Sequence, residues 1–434
     1  MRINWFSCMI MLCFTIIFCG NLPGNAQSAP VKDLRYYFQT AQQAYAEGQY
    51  DAYRENLQEM LRLRPNHPTY LYNLAGANAL SGRSDEALAI LQRVAAAGLI
   101  YPAAEDEDFA AIRSSEMFAA ILAQFESNRR PVSRSETAVI VKEKGLISES
   151  VAYDPQNGRY WISSVHRRKI VTVDREGNCR DFTSPQDDVW GVFGIKLDAR
   201  RQVLWACSGV VPEIAGYSKA EADLTGIFKY DRGSGKLLKR YLLPPDGSAH
   251  LFGDLVLNAA GDVFISDSFS PRLYVIRAEN DTLTELLQEP AWVSPQGITV
   301  GAADSVLYVA DYRMGLYRID PARREARALP YPENTILMGI DGLYYHDHSL
   351  IAVQNGVNPQ RIIRAHLNPA GDRIEQIEVL EANHPEFDEP TLGVISGNIF
   401  YYIANSQWGS TLDQQGQLRP ESELKFPLVF KIDL

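Results

Sequence analysis

The sequence predicts an all-β six-bladed β-propeller preceded by an all-α helical domain. Three observations lead there. First, one two-strand phrase recurs: VAYDPQNGRYWISS at 151–164, IKLDARRQVLWACS at 195–208, FGDLVLNAAGDVFISDS at 252–268, ITVGAADSVLYVAD at 298–311, LYYHDHSLIAVQN at 343–355 and VISGNIFYYIANS at 394–406. Short strands repeating at roughly 40 to 50 residues are the mark of propeller blades. Second, turn residues split each phrase into two apolar runs, as Gly261-Asp262 does between Leu255–Leu257 and Val263–Ser266, which fits a tight hairpin. Third, from Asp33 to about Phe125 strand signals vanish and apolar residues fall at helical spacing. The expected domains are a signal segment at 1–26, helices at 32–127, a linker at 128–135 (around NRRPVSRS) and the propeller at 136–434.

The chain has 434 residues, 46% apolar and 22% charged, with a formal net charge of −11. That composition is globular. An acidic chain without a basic run argues against nucleic acid or an anionic membrane as partner. Arg2, the apolar run Trp5–Cys19 and the small residues Gly24-Asn25-Ala26 predict a secretory signal cleaved after about Ala26. The run is shorter than the ~20 residues that span a bilayer, so the expectation is a periplasmic or secreted protein without stable membrane insertion, an uncleaved anchor being the alternative. Cys179 and Cys207 remain after cleavage. The blade assignment places them on opposite faces, so two separate thiols are expected, with a disulfide as the alternative.

In the helical part, Gly48, Tyr50 and Tyr53 match Gly82, Ser84 and Ala87 at a fixed offset, and Ala41 matches Ala75. The stretches AYAEGQYDAYRENLQEMLRLRP and NALSGRSDEALAILQRVAAAG resemble the tetratricopeptide repeat. The first has Tyr53 where that repeat has a small residue, and the second has no closing proline. EDEDFAAIRSSEMFAAILAQFE at 105–126 reads as a further helical unit that caps the stack. Such a stack implies a groove for a protein partner, or a rigid spacer.

In a propeller the first strand of each blade lines the axis. The residues leading into the six first strands, Glu149, Trp190, Asp254, Gln296, Asp341 and Thr391, are therefore expected to converge on one face. The loops 165–168, 269–272, 312–315 and 356–360 are expected to surround them. Leu428–Leu434 supplies the third strand of blade 6, and Ala138–Glu143 is left to close the ring as its outer strand.

ISESVAYDPQNGRYWISS, FGDLVLNAAGDVFISDS, SPQGITVGAADSVLYVAD and MGIDGLYYHDHSLIAVQNG resemble the senescence marker protein/gluconolactonase-like (regucalcin-like) superfamily, over about 136–434. The resemblance implies an axial divalent cation, Ca2+ or another, held by Glu149, Asp254, Gln296 and Asp341. Glu149 and Asp341 match the family's glutamate and aspartate. Gly253 and Gln296 stand where it has asparagines, with Asp254 beside the glycine. Calcium takes six to eight oxygen ligands and polarises a carbonyl, while a carboxylate takes a proton from water. Catalytic roles for Asp341, Asp254 and Glu149 in a lactonase or ester hydrolase are thereby implied. The alternative is a non-catalytic scaffold that binds a ligand on the propeller face and a protein on the helices.

Other motifs carry less. His346-Asp347-His348 falls in a hairpin turn. Gly233-Ser234-Gly235-Lys236 has neither the upstream glycine nor the following helix of a phosphate loop. No G-x-S-x-G elbow occurs. His166 and His250 are placed near the axial face, and Trp190, Tyr312 and Trp408 are candidates for an aromatic wall there.

Overall fold

In the computed structural model the chain is described from residue 32 to 434. The expected signal segment at 1–26 lies outside the described residues. The chain forms two compact units. One runs to Ala95 and includes Tyr101–Phe125; the other comprises Ala96–Ile100 and Glu126–Leu434.

The first unit is helical: α1 (Leu34–Ala46), α2 (Tyr50–Leu63), α3 (Pro68–Leu80), α4 (Ser84–Ala96), a 3-10 turn at Glu107–Ile112, and α5 (Glu116–Asn128). Leu34 and Pro68 open α1 and α3, and Tyr50 and Ser84 open α2 and α4, so both pairs repeat at one 34-residue step. Asp33 caps α1 by accepting the Tyr36 N–H, and Pro68 starts α3 where its missing N–H costs nothing. Small buried residues, Ala41, Ala44, Ala75, Ala77 and Ala87, let the helices approach closely. Tyr53 is buried too and meets Tyr45 edge to face, so this bulky residue fills core space. The Tyr45 and Tyr72 hydroxyls donate to Asp108 and Asp106, tying the 3-10 turn to the stack.

The second unit is a ring of six four-stranded antiparallel sheets. Five blades are sequential meanders. Blade 6 takes its inner strands from Gly393–Ser396 and Ile399–Ile403, its third from Leu428–Asp433 and its outer strand from Glu136–Ile140. The strand nearest the N-terminus thus pairs with the C-terminal one, and the ring has no open seam. Apolar side chains fill the space between blades, as Trp205, Ile227, Phe252, Leu255 and Ile265 do between blades 2 and 3. Cys179 and Cys207 are free thiols.

Two polar anchors brace the ring. Buried Glu381 accepts the backbone N–H groups of Arg134 and Ser135 through Oε2, which fixes the segment before the closing strand. In blade 3, buried His250 sits between Asp267 and Asp246. The Asp267 hydrogen bond and charge raise the His250 pKa against its burial. The imidazolium is the favoured form, so its contribution is complete below the unfolded pKa and is lost as pH rises through the folded one. His250→Ala leaves Asp267 buried without that cation. A loss of about 2–4 kcal/mol is expected, read as a fall of about 3–6 °C in the unfolding midpoint at pH 6.

Candidate functional site

The first strands of the blades carry a shared irregularity. The inner hairpins of blades 1 to 5 each slip register by one residue, at Ser148/Val151, Val192/Ile195, Phe252/Leu255, Pro295/Ile298 and Ile340/Gly342. A bulge of this kind turns one side chain out of the pleat and re-aims it. The slipped stretches hold Glu149, Phe193, Gly253-Asp254, Gln296 and Asp341. In blades 1, 3, 4 and 5 the backbone thus singles out the residue that the sequence pattern places at the axis; in blade 2 it singles out Phe193 and not Trp190.

The structure brings three of the four expected site residues into electrostatic contact. Glu149, Asp254 and Asp341 are 8%, 1% and 9% exposed. Burial and the neighbouring Asp341 raise the Glu149 carboxyl well above its ordinary value, while a hydrogen bond from Trp408 pulls it down. Burial and Asp254 push Asp341 up to about 7, against a hydrogen bond from Asn355. Gln296 behaves differently. Its amide oxygen accepts from Ser268 and its amide nitrogen donates to Ser294, so it is tied into the blade 3–blade 4 boundary.

Four further groups complete the site. Glu389 precedes blade 6 with its backbone in the left-handed region (φ 68°), uncommon for a residue with a side chain. Burial and Asp341 raise its carboxyl to about 8. Lys196, in the first strand of blade 2, places Nζ 2.7 Å from Asp254 Oδ1 and 5.6 Å from the centre of the Tyr344 ring. Asn355 donates to Asp341 Oδ2 at 2.9 Å and accepts from the Tyr312 hydroxyl. Trp408, on the loop between the second and third strands of blade 6, donates Nε1–H to Glu149 Oε2 at 2.7 Å and stacks on Phe193.

Trp408 and Tyr312 thus belong to the site. Trp190 does not share in this network: the blade 2 bulge falls on Phe193, and Trp190 packs edge-on against Phe228. Thr391 is buried, and its hydroxyl has no partner among the described residues. His166 holds the Glu213 carbonyl, and His250 belongs to the blade 3 anchor. Asp347 and His348 form a left-handed hairpin turn, and the Gly233–Lys236 turn is closed by Asp231.

Lys196, Glu389, Asn355 and Phe193 are the residues that sequence reasoning missed. A lysine inside the apolar strand VFGIKLD was a usable signal, since a charge there needs a partner. Glu389 gave a weaker one, an acid two residues ahead of Thr391.

Carboxylates and an amide are the donors that suit calcium in kind. Their arrangement does not suit it. Asp254 Oδ1 holds an ammonium while its Oδ2 is buried without a partner among the described residues, Gln296 is turned to Ser268, and Glu149 and Asp341 each accept through one oxygen, from Trp408 and Asn355. Among the described residues, no three His, Cys, Asp or Glu side chains stand close enough together to hold a metal ion. The arrangement can instead hold, donate and accept protons beside a fixed positive charge.

No family model matches the chain, and no curated protein matches it. Solved structures are similar to it. Virginiamycin B lyase from Staphylococcus aureus is 17% identical, covering 68% of this chain and 97% of that one, with a TM-score of 0.45. A gluconolactonase from Xanthomonas campestris is 12% identical, covering 70% and 100%, with a TM-score of 0.45. The PQQ-bound aldose sugar dehydrogenase from Streptomyces coelicolor is 12% identical, covering 69% and 99%, with a TM-score of 0.45. At these identities the likeness is one of fold.

Proposed function

We propose that the axial face is a hydrolase site that opens a small lactone or ester by acid–base chemistry. One observation carries this: the buried carboxyls of Glu149, Asp341 and Glu389 are raised by burial and by the charges of their acidic neighbours, Asp254 among them, and Asp254 is paired with the ammonium of Lys196. Structural carboxylates in a blade are pinned by backbone N–H groups, as Asp311 is by four of them. The axial acids have fewer such ties and more of one another.

The chemistry follows from the protons. A water attacking the carbonyl carbon must lose a proton, and the leaving oxygen must gain one. Carboxyl groups that hold protons near neutral pH can do both, one accepting while its neighbour donates. Asp341 suits the accepting role and Glu149 the donating one, although the protons belong to the cluster. Water adds across the bond and leaves a hydroxy acid, or an acid and an alcohol. Phe193, Tyr312, Tyr344 and Trp408 would bound the substrate with apolar surface. No step runs through a divalent cation. With the export expected from residues 1–26, the reaction would take place outside the cytoplasm.

A panel of five- and six-membered lactones and aryl esters, followed by acid release, tests the proposal. Glu149→Gln is expected to cut turnover by about 10²-fold or more. A chain that opens none of them, or a variant as active as the parent, would contradict it.

A groove of about 450 Å3 in the helical unit favours a second reading. Arg54, Gln58, Leu74, Asn78, Arg83 and Ile90 line it. A partner protein held there would make the chain a binding scaffold of the tetratricopeptide type, and this is the reading to pursue if the axial site proves inert.

A further inference from the structure

Lys196 is paired with Asp254, one of the four residues that the family resemblance gives to a metal. Its strand belongs to blade 2, its carboxylate partner to blade 3 and the ring beneath it to blade 5, so the ammonium meets groups of two other blades. The corresponding positions hold Ala152, Val256 and Thr299 in blades 1, 3 and 4, one residue after the re-paired strand position, and Tyr344 in blade 5, two residues after it. Among these five positions, only Lys196 carries a charge. The backbone is cut to fit the pair. A Cβ on Gly194 would stand 2.8 Å from Asp254 Oδ1 and 2.8 Å from the Gly253 carbonyl, so only glycine lets this carboxylate approach. The Lys196 side chain is 13% exposed and that of Asp254 is 2% exposed, which makes the pair costly to break from either side.

We infer that the Lys196 ammonium is the built-in cation of the axial site, and that it replaces the divalent metal of the family resemblance. A tethered ammonium has fixed position and charge. It steadies Asp254 and places a positive field at the spot where negative charge grows on a carbonyl oxygen. It supplies no ligand exchange, so the site is indifferent to calcium and to chelators. The role in hydrolysis rests on the function proposed above; the replacement of metal by ammonium does not.

The test is thermal unfolding of the mature chain at pH 8, in excess calcium and in excess chelator, for the wild type, Lys196→Gln, Asp254→Asn and the double variant. The wild-type midpoint is expected to stay put in both media. Lys196→Gln leaves Asp254 buried without a cation and is expected to lose about 5 °C or more. Adding Asp254→Asn removes the stranded charge and is expected to restore most of that loss. A calcium-dependent rise in the wild type, or no recovery in the double variant, would overturn the inference. If Lys196→Gln does not fold, folding of the double variant is the recovery, and failure of both counts against it. None of these readouts uses turnover. A chain that hydrolyses nothing can still support the lysine, and turnover that requires calcium would sink both the lysine and the metal-free acid–base step.

Discussion

Asp341→Asn is expected to unfold about 2–5 °C above the wild type at pH 8, by a smaller margin at pH 5, and level with it only below the unfolded pKa of about 4. Burial and the nearby Asp254 raise the Asp341 carboxyl to about 7, above its ordinary 3.8. The folded state therefore binds a proton that the unfolded chain releases from about pH 4 upward. Stability held below the unfolded pKa is lost as pH climbs through the folded one. Asparagine has no proton to lose, and its side-chain oxygen can still accept from Asn355. The gain at pH 8 is about 1–3 kcal/mol, less than a full conversion of the shift, because Glu149 and Glu389 share the repulsion. The same substitution removes the proton acceptor. A variant more stable and less active than its parent is what a site under electrostatic strain produces. A midpoint that follows the wild type at every pH would show that Asp341 is not held in this field.

Gly297→Ala carries the second large effect. A Cβ at Gly297 would stand 2.5 Å from the Leu343 nitrogen and 2.6 Å from the Asp341 carbonyl oxygen. Both are backbone atoms of the neighbouring first strand, so no side chain can swing aside. The two strands must part, and overpacking of this kind costs about 1–3 kcal/mol, or about 2–5 °C in the midpoint. The strand that moves is the one that carries Asp341, so turnover is expected to fall with stability. Gly194 makes the same approach to blade 3. Ala substituted at Gly216, whose Cβ would meet nothing within 4 Å, is the control for backbone strain alone, since its φ of 74° is positive and that of Gly297 is not. Equal losses at Gly297 and Gly216 would remove the case for strand contact at the axis.

The six-fold phrase made the architecture legible, because a blade cannot bury its faces alone and each copy must repeat the same apolar spacing. Blade 6 was legible for the same reason, with an unpaired strand at one end and a missing one at the other. At the site, Glu149, Asp254 and Asp341 were legible from their place at the heads of the first strands. Phe193 was not, since a one-residue bulge decides which side chain turns inward, and Trp190 lies three residues too early. Glu389 depends on a left-handed backbone that leaves no pattern. Lys196 depends on a glycine two residues before it and an aspartate in the next blade. Such pairings live in the third dimension and have no period.

The most direct measurement is the initial rate of lactone or ester opening by the wild type and Asp341→Asn, from pH 5 to 9, with a chelator present throughout. The wild-type rate is expected to rise along a limb near pH 7, as the axial carboxyls give up a proton, and to need no metal. The variant is expected to lose about 10²-fold or more and the limb with it. Absence of turnover, equal rates in the two proteins, or activity that appears only when calcium is returned would contradict the acid–base site built here.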